Sequence, residues 1–136
     1  MMEPVRIVAH YRNGQIVKGY SKDFNVNRPF FRLYADTQEH SSDKQTEIQI
    51  EDLKAVFFVK TFEGDKEYAE RKAFMEGEKP SGRKVEVTFR DGEKMQGSTL
   101  GYRAEKTGFS LFPADSKHNN MRVFVVSSAL SDFRFL

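Results

Sequence analysis

A short sequence pattern occurs twice in this chain, and the repetition constrains the fold more than any other feature. Residues 7–14 read Ile-Val-Ala-His-Tyr-Arg-Asn-Gly, and residues 85–92 read Val-Glu-Val-Thr-Phe-Arg-Asp-Gly. A shift of 78 positions aligns these segments, and it also aligns Gly19 with Gly97, Phe31 with Phe109 and Leu33 with Leu111. The chain therefore contains two copies of one small β unit. We predict a first copy over residues 1–61 and a second copy over residues 84–136.

Each copy is predicted to open with a β-hairpin. Apolar and polar residues alternate ahead of Asn13-Gly14 and of Asp91-Gly92, and both dipeptides are turn signals. A two-residue turn would mix polar and apolar residues on both faces of the hairpin. A three-residue loop with a glycine bulge instead pairs apolar residues, Ala9 with Val17 and Val87 with Met95. We therefore predict a bulged loop, with both turn glycines in the left-handed region.

Three further strands are predicted in each copy, which makes five strands per copy. They cover residues 30–34, 46–50 and 54–59 in the first copy, and residues 108–112, 121–126 and 132–136 in the second. Gly19 and Gly97 fall inside second strands, where glycine is typical of the sharp bend in a closing barrel. The predicted fold is mainly β: two tandem five-stranded small barrels, Sm-like or SH3-like in type, joined by one short α-helix within residues 62–83.

The segment Ala55–Val59 is apolar at every position. A strand of an isolated small barrel has one face in water, so something must cover the outer face of this strand. Three covers are open at this stage: the other copy, the linking helix or a second chain. Units of this size bury little surface alone, and we expect the two copies to form one compact body.

Composition excludes several classes of protein. The chain has no cysteine, which rules out disulfide bonds and zinc sites with cysteine ligands. The net charge of +2 is small and the charges are interspersed, which disfavours a nucleic-acid-binding surface. No apolar run approaches the roughly 18 residues needed to span a bilayer, and the N-terminus does not resemble a signal peptide. We expect a cytoplasmic protein without a membrane partner.

Catalytic patterns are missing from the sequence. It has no glycine-rich phosphate loop, no nucleophile elbow and no paired carboxylates, and its three histidines lack the spacing of a metal site. We predict no catalytic residue, metal ligand or cofactor, and a protein that is not an enzyme. Because small barrels expose edge strands that recruit other strands, the leading hypothesis is a non-enzymatic binding or adaptor module. Its partner would be another protein, or a second copy of the chain in a homodimer.

One polar segment is a candidate binding site. It follows the third strand of the second copy, and its candidate residues are Asp115, His118, Asn119, Asn120 and Arg122. Loops on a rigid barrel commonly carry binding residues. Aspartate and asparagine also satisfy the backbone of turns, so the segment has a purely structural interpretation as well.

A second interpretation comes from a resemblance. The string Gly19-x-x-x-Asp23-x-x-x-Asn27 resembles the loop by which Sm proteins hold RNA bases. This resemblance implies RNA binding as the alternative function, through a face formed by Lys22, Asp23, Asn27, Arg28 and Arg32. Two of those arginines flank Phe30-Phe31, which interleaves basic and aromatic groups as RNA binding requires.

A broader resemblance covers nearly the whole chain. It is carried by residues 8–14, 52–59, 82–93, 111–115 and 119–125, which read VAHYRNG, DLKAVFFV, GRKVEVTFRDGE, LFPAD and NNMRVFV. These strings resemble an uncharacterised bacterial domain family of unknown function, whose members occur alone or beside signalling modules. The resemblance implies a bacterial cytoplasmic protein with an accessory or regulatory role, and it supplies no catalytic residues.

Overall fold

The computed structural model describes residues 5–34, 45–62, 74, 77, 80–102, 107–115 and 120–136. These residues form ten β-strands, and every strand pairing is antiparallel. The strands of the first copy are β1 (Val5–Tyr11), β2 (Ile16–Ser21), β3 (Phe30–Tyr34), β4 (Gln45–Gln49) and β5 (Leu53–Val59). Those of the second copy are β6 (Arg83–Phe89), β7 (Lys94–Thr99), β8 (Gly108–Pro113), β9 (Asn120–Val126) and β10 (Leu130–Phe135). A single 3-10 turn precedes the last strand of each copy, at Ile50–Asp52 and at Ser127–Ala129.

The two hairpins have the predicted bulged turn. Gly14 and Gly92 both have a φ of 94°, a conformation that glycine adopts without steric cost. In the first hairpin, Gly14 donates its backbone N–H to the Tyr11 carbonyl over 3.0 Å. The predicted registers are confirmed as well, with Ala9 opposite Val17 and Val87 opposite Met95. Turn chemistry and alternation along the strands were therefore enough to specify both hairpins.

The ten strands lie in one open sheet in the order β10-β6-β7-β8-β9-β5-β1-β2-β3-β4. Each half of this order repeats the same arrangement, in which the fifth strand of a copy is followed by its first, second, third and fourth. The prediction of two closed barrels is not confirmed, because β4 and β10 end the sheet rather than closing it. The reason is that β9, the fourth strand of the second copy, pairs with β5, the fifth strand of the first.

Strand β5 is the centre of the fold. It lies between β1 and β9, and its residues 55–59 are all buried. Of the three covers left open by the sequence, the other copy is in place beside this strand through β9, whereas most of the linking segment lies outside the described residues. Burial of a valine or phenylalanine side chain contributes roughly 1.5–3 kcal/mol, so this junction holds the two copies together in one apolar core.

The predicted linking helix, within residues 62–83, falls mostly outside the described residues, and so it stays a prediction. The described positions between the copies are Phe62, Phe74, Gly77 and residues 80–82, and none of them is helical. Within the part of the chain that the structure describes, no helix is long and apolar enough to cross a membrane.

The second strand of each copy separates from the third soon after the two strands meet. In the second copy, β7 pairs with β8 only at Gly97 opposite Pro113 and at Ser98 opposite Phe112. Gly97 permits this close approach, since a Cβ atom there would lie 2.4 Å from the Phe112 carbonyl oxygen. Beyond Ser98, β7 continues along β6 while β8 continues along β9. The strands thus form a fork, and the fork of the second copy opens next to the first copy.

Candidate functional site: a groove between the two copies

A large cavity lies in the fork between β7 and β8, and we call it the inter-copy groove. Its volume is about 760 Å³, which is within the range of ligand-binding sites in proteins. The first copy contributes residues 26–29, and the second contributes residues 99–102 and 107–110 together with Phe112 and Phe124. The groove therefore exists only because the two copies are joined.

The wall from the first copy is a loop with a well-defined hydrogen-bond network. The Asp23 carboxylate accepts the backbone N–H of Arg32 over 3.0 Å and the Ser21 hydroxyl over 3.3 Å. Asn25 accepts the backbone N–H of Asn27 through its side chain over 2.9 Å, an Asx turn. These bonds hold the tip of the loop in one conformation.

Phe24 anchors the same loop to the junction between the copies. Its ring makes edge-on contacts with Phe31 and Phe58 of the first copy, with 5.1 Å between centroids in each case. A third edge-on contact, at 5.5 Å, reaches Phe124 of the second copy. Edge-to-face aromatic pairs are favourable beyond the area that they bury. The loop of the first copy is therefore tied to the strand that lines the groove.

The opposite wall is the segment Leu100–Tyr102, which is held by an aromatic cluster. The Tyr102 ring stacks on Phe133 with 3.8 Å between centroids and meets the edge of Phe109 at 5.0 Å. Leu100, two residues earlier, is 75% exposed. Tyr102 is thus anchored, and the side chain of Leu100 is exposed at the rim of the groove.

One side of the groove is the open edge of β8. Ala114 donates its backbone N–H to the Gln96 carbonyl of β7 over 3.1 Å, so the even-numbered residues of β8 direct their backbone groups toward β7. Because backbone groups alternate between the two sides of a strand, those of Gly108 and Ser110 point into the fork. Neither residue has a β7 partner within the described ranges. The groove therefore presents unpaired backbone donors and acceptors.

The surface of the groove is apolar with one cationic group. Val26, Leu100 and Phe112 are exposed apolar side chains on its walls, and Val26 is 50% exposed. Among the described residues that line it, Arg28 alone carries a formal charge. The Arg28 guanidinium lies over the Phe30 ring, 5.3 Å from its centroid, and has no carboxylate partner in the described part of the chain.

The predicted RNA face is divided by the structure. Asn27 and Arg28 line the groove, whereas Arg32 does not line it and forms an ion pair with Asp23 at 3.5 Å. The Arg32 guanidinium lies 5.4 Å from the centroid of the Phe30 ring. Lys22 lies apart from the groove, with its ammonium group 5.7 Å from the centroid of the Tyr34 ring. Phe31 is fully buried in the core, so it offers no stacking surface to a base.

The predicted polar site after β8 is only partly described. His118 and Asn119 lie outside the described residues, and Asn120 is described through its backbone alone, opposite Val59. Asp115 is buried. Arg122 is half-buried with its guanidinium 4.1 Å from the centroid of the Phe58 ring, and burial lowers the pKa of Arg122. The binding role of this segment stays a prediction.

A second and smaller cavity, of about 80 Å³, lies where the two hairpin turns approach each other. Its cationic side chains already have partners within the protein. Lys54 bonds to Asp91 and Glu93, Arg12 bonds to the Ser128 hydroxyl, and Arg90 bonds to the Ser128 carbonyl. These contacts include hydrogen bonds between the two copies, and the cavity is part of that interface.

Sequence reasoning missed the groove, although two signals pointed to it. Val26 lies between two asparagines, and Leu100 precedes a glycine, so both are apolar residues in segments otherwise suited to turns. An apolar residue that no strand pattern explains indicates a contact elsewhere. The sequence could not reveal that these two residues, 74 positions apart in the chain, face one cavity.

Comparisons with known proteins place the chain without assigning it a function. A family model described as "Family of unknown function (DUF6982)" matches residues 3–136. No curated protein and no solved structure matches the chain. Within the described residues, no group of three histidine, aspartate or glutamate side chains could hold a metal ion.

Proposed function

Because the chain belongs to DUF6982, a family of unknown function, its role must be argued from its own geometry, and we propose that it is a protein-binding module. The observation that carries this proposal is the inter-copy groove, a cavity of about 760 Å³ with exposed apolar walls. Exposed leucine and valine at a rigid concave surface favour association with a partner that removes them from water.

The finer assignments of fold and setting belong to the same proposal. The shared strand order of the two halves supports the interpretation of each copy as a curled, Sm-like or SH3-like unit. The absence of cysteine is compatible with a reducing cytoplasm. A regulatory role in bacteria is what the resemblance to uncharacterised bacterial domains implies.

The outer edges of the sheet favour a different protein over a second copy of the chain. The strand registers show which positions are equivalent in the two copies. Glu47 of the edge strand β4 is at the position that Phe124 has in β9, and Asp132 of the edge strand β10 is at the position that Ala55 has in β5. The free edges thus carry carboxylates where the inner junction is apolar. Charged side chains on an edge strand oppose pairing with another sheet, so we place the partner in the groove.

The test compares capture of proteins by matched variants of the full chain. Leu100→Lys places a charge on the wall of the groove, and Ile16→Lys places the same charge on another exposed apolar position, in a hairpin outside the groove. We expect the wild-type protein and the Ile16→Lys variant to retain the same protein from native lysate. The Leu100→Lys variant should lose it by at least tenfold.

RNA binding is the rival that the same experiment addresses. Capture of RNA rather than protein, with an affinity that falls steeply with salt and depends on Arg28, would contradict the proposal. A protein that all three forms retain equally would also contradict it, because the groove would then not be the binding surface.

A further inference from the structure

We propose that the inter-copy groove binds an extended peptide that adds a strand to the open edge of β8, with an acidic residue of the peptide placed on Arg28. This inference rests on the proposed function and specifies the chemistry of the partner. The occupant is a segment of another protein with apolar side chains and a carboxylate. Three features of the groove support this inference.

The first feature is the unpaired edge itself. Gly108 and Ser110 direct backbone N–H and C=O groups into the fork, and β7 supplies no partner to either within the described ranges. Both residues are half-exposed and line the groove. Two residues at this spacing match the period at which an extended peptide presents its own backbone groups. A small apolar molecule would leave these groups unbonded, which favours a peptide.

The second feature is the position of the apolar side chains beside that edge. Leu100 and Phe112 belong to the copy that carries β8, and Val26 reaches over from the other copy. Side chains of an added strand alternate between its two faces, so a peptide along β8 would direct successive residues toward different walls. Apolar peptide residues would cover Leu100, which is 75% exposed in the free protein.

The third feature is the charge. Arg28 is exposed, lines the groove and has no carboxylate partner in the described part of the chain. Its backbone N–H donates to the Asn25 carbonyl over 3.1 Å, and the Pro29 carbonyl accepts the Ile50 backbone N–H over 2.9 Å. The base of this side chain is therefore held by the loop while its guanidinium group is available. A carboxylate is a partner that a guanidinium binds strongly, through charge-assisted and often bidentate hydrogen bonds.

The proposed peptide site does not depend on the Sm-like interpretation of the fold. The site requires both the divergence of β7 from β8 and the approach of a loop from the other copy. A single copy has only the divergence of its strands. The first copy has a fork of its own, where β2 pairs with β3 only at Tyr20 opposite Tyr34. The inter-copy groove lies at the fork of the second copy. Its second wall is the loop of the first copy, which the contact between Phe24 and Phe124 holds in place.

The experiment selects peptides on the full wild-type chain from a displayed library of random ten-residue sequences. Selected peptides should have alternating apolar residues and an aspartate or glutamate. Synthetic forms are then measured by fluorescence anisotropy against Ser110→Pro, which removes one backbone N–H that faces the groove, and against Ser110→Ala, which keeps it. We expect Ser110→Pro to weaken binding about tenfold or more and Ser110→Ala to leave it within about twofold, as loss of a hydrogen-bonded group implies.

Two further measurements keep the test independent of how Ser110→Pro folds. N-methylation of single peptide amides should weaken binding to the wild-type protein at alternate positions only, because every second amide of an added strand faces β8. Arg28→Gln should weaken binding about tenfold and lower its salt dependence, whereas Lys94→Gln, a matched change on an exposed residue outside the groove, should not.

The outcomes separate this inference from the proposed function. Peptides that bind the groove but tolerate N-methylation at every position would overturn strand addition and leave a protein-binding groove in place. A library that yields no peptide dependent on Leu100 would also overturn the inference. The lysate experiment tests the proposed function itself. If that proposal is wrong, the Leu100→Lys and Ile16→Lys variants will retain protein equally.

Discussion

The ammonium group of Lys54, in the last strand of the first copy, donates a 2.7 Å hydrogen bond to the carboxylate of Asp91 in the hairpin turn of the second. Glu93 accepts a second bond from the same nitrogen over 2.6 Å. Burial disfavours the charge of Lys54, but the bonds to the two carboxylates outweigh this effect and raise its pKa. This contact joins the copies at the end of the β5–β9 junction, and it is accessible to experiment.

Replacement of Lys54 by methionine should remove this contact between the copies without disturbing the core. The Lys54 hydrogen bond is the main cause of the lowered pKa of Asp91, so the pKa of Asp91 should rise toward its ordinary value in the variant. Because the two carboxylates remain largely in water, we expect the free energy of unfolding to fall by only about 1 kcal/mol. An NMR titration of Asp91 and urea unfolding measure the two effects. Lys94→Met is the control. Equal changes in the pKa of Asp91 and in the free energy of unfolding in that variant would show that the effects are not specific to Lys54.

The stability of the protein should depend on pH through His10. Burial lowers the pKa of His10 below 6.5, with a further contribution from the charge of Lys54. The unfolded chain then binds a proton at higher pH than the folded one, so stability is complete above about pH 6.5 and is lost as the pH falls from there through the folded pKa. In His10→Gln this part of the dependence should disappear, as measured by urea unfolding between pH 7.5 and 5. Parallel curves for the two proteins would refute the assignment to His10.

The glycine within each second strand should be intolerant of a side chain. A Cβ atom at Gly19 would lie 2.4 Å from the Tyr34 carbonyl oxygen, and one at Gly97 equally close to that of Phe112. Backbone atoms must move to accommodate either, so each alanine variant should lose about 2 kcal/mol of stability. Gly101→Ala has open space around its Cβ and should stay within about 0.5 kcal/mol of wild type. Thermal unfolding of the three variants tests this, and three equal values would contradict it.

The polar residues of the outer edges should keep the wild-type sheet from extending between molecules. Glu47→Phe combined with Asp132→Ala gives β4 and β10 the residues found at the corresponding inner positions, Phe124 and Ala55. We expect this double variant to associate head to tail, since the strand types left free are those that pair at the inner junction. Light scattering after size-exclusion chromatography measures the mass. Gln15→Phe adds a comparable apolar group elsewhere, and association of that variant alone would point to nonspecific aggregation.

The candidate site was only partly accessible from the sequence. Asn27 and Arg28 were singled out as part of an RNA face, and both line the groove. Asp23 was assigned to the same face, yet its carboxylate bonds to the backbone of Arg32 and holds the loop. Residue type and spacing identify a polar loop, but they do not tell whether a carboxylate faces a ligand or its own backbone.

The sequence by itself determined the local parts of this fold. The dipeptides Asn13-Gly14 and Asp91-Gly92 and the alternation beside them specified both hairpins, because turn geometry and side-chain period depend on neighbouring residues. It also showed that Ala55–Val59 needed a cover. Only the tertiary structure decided that β9 of the other copy lies beside this strand, and hence that a groove forms between the copies. The hydrophobic effect has no direction, so an apolar strand specifies that it must be buried without specifying against which surface.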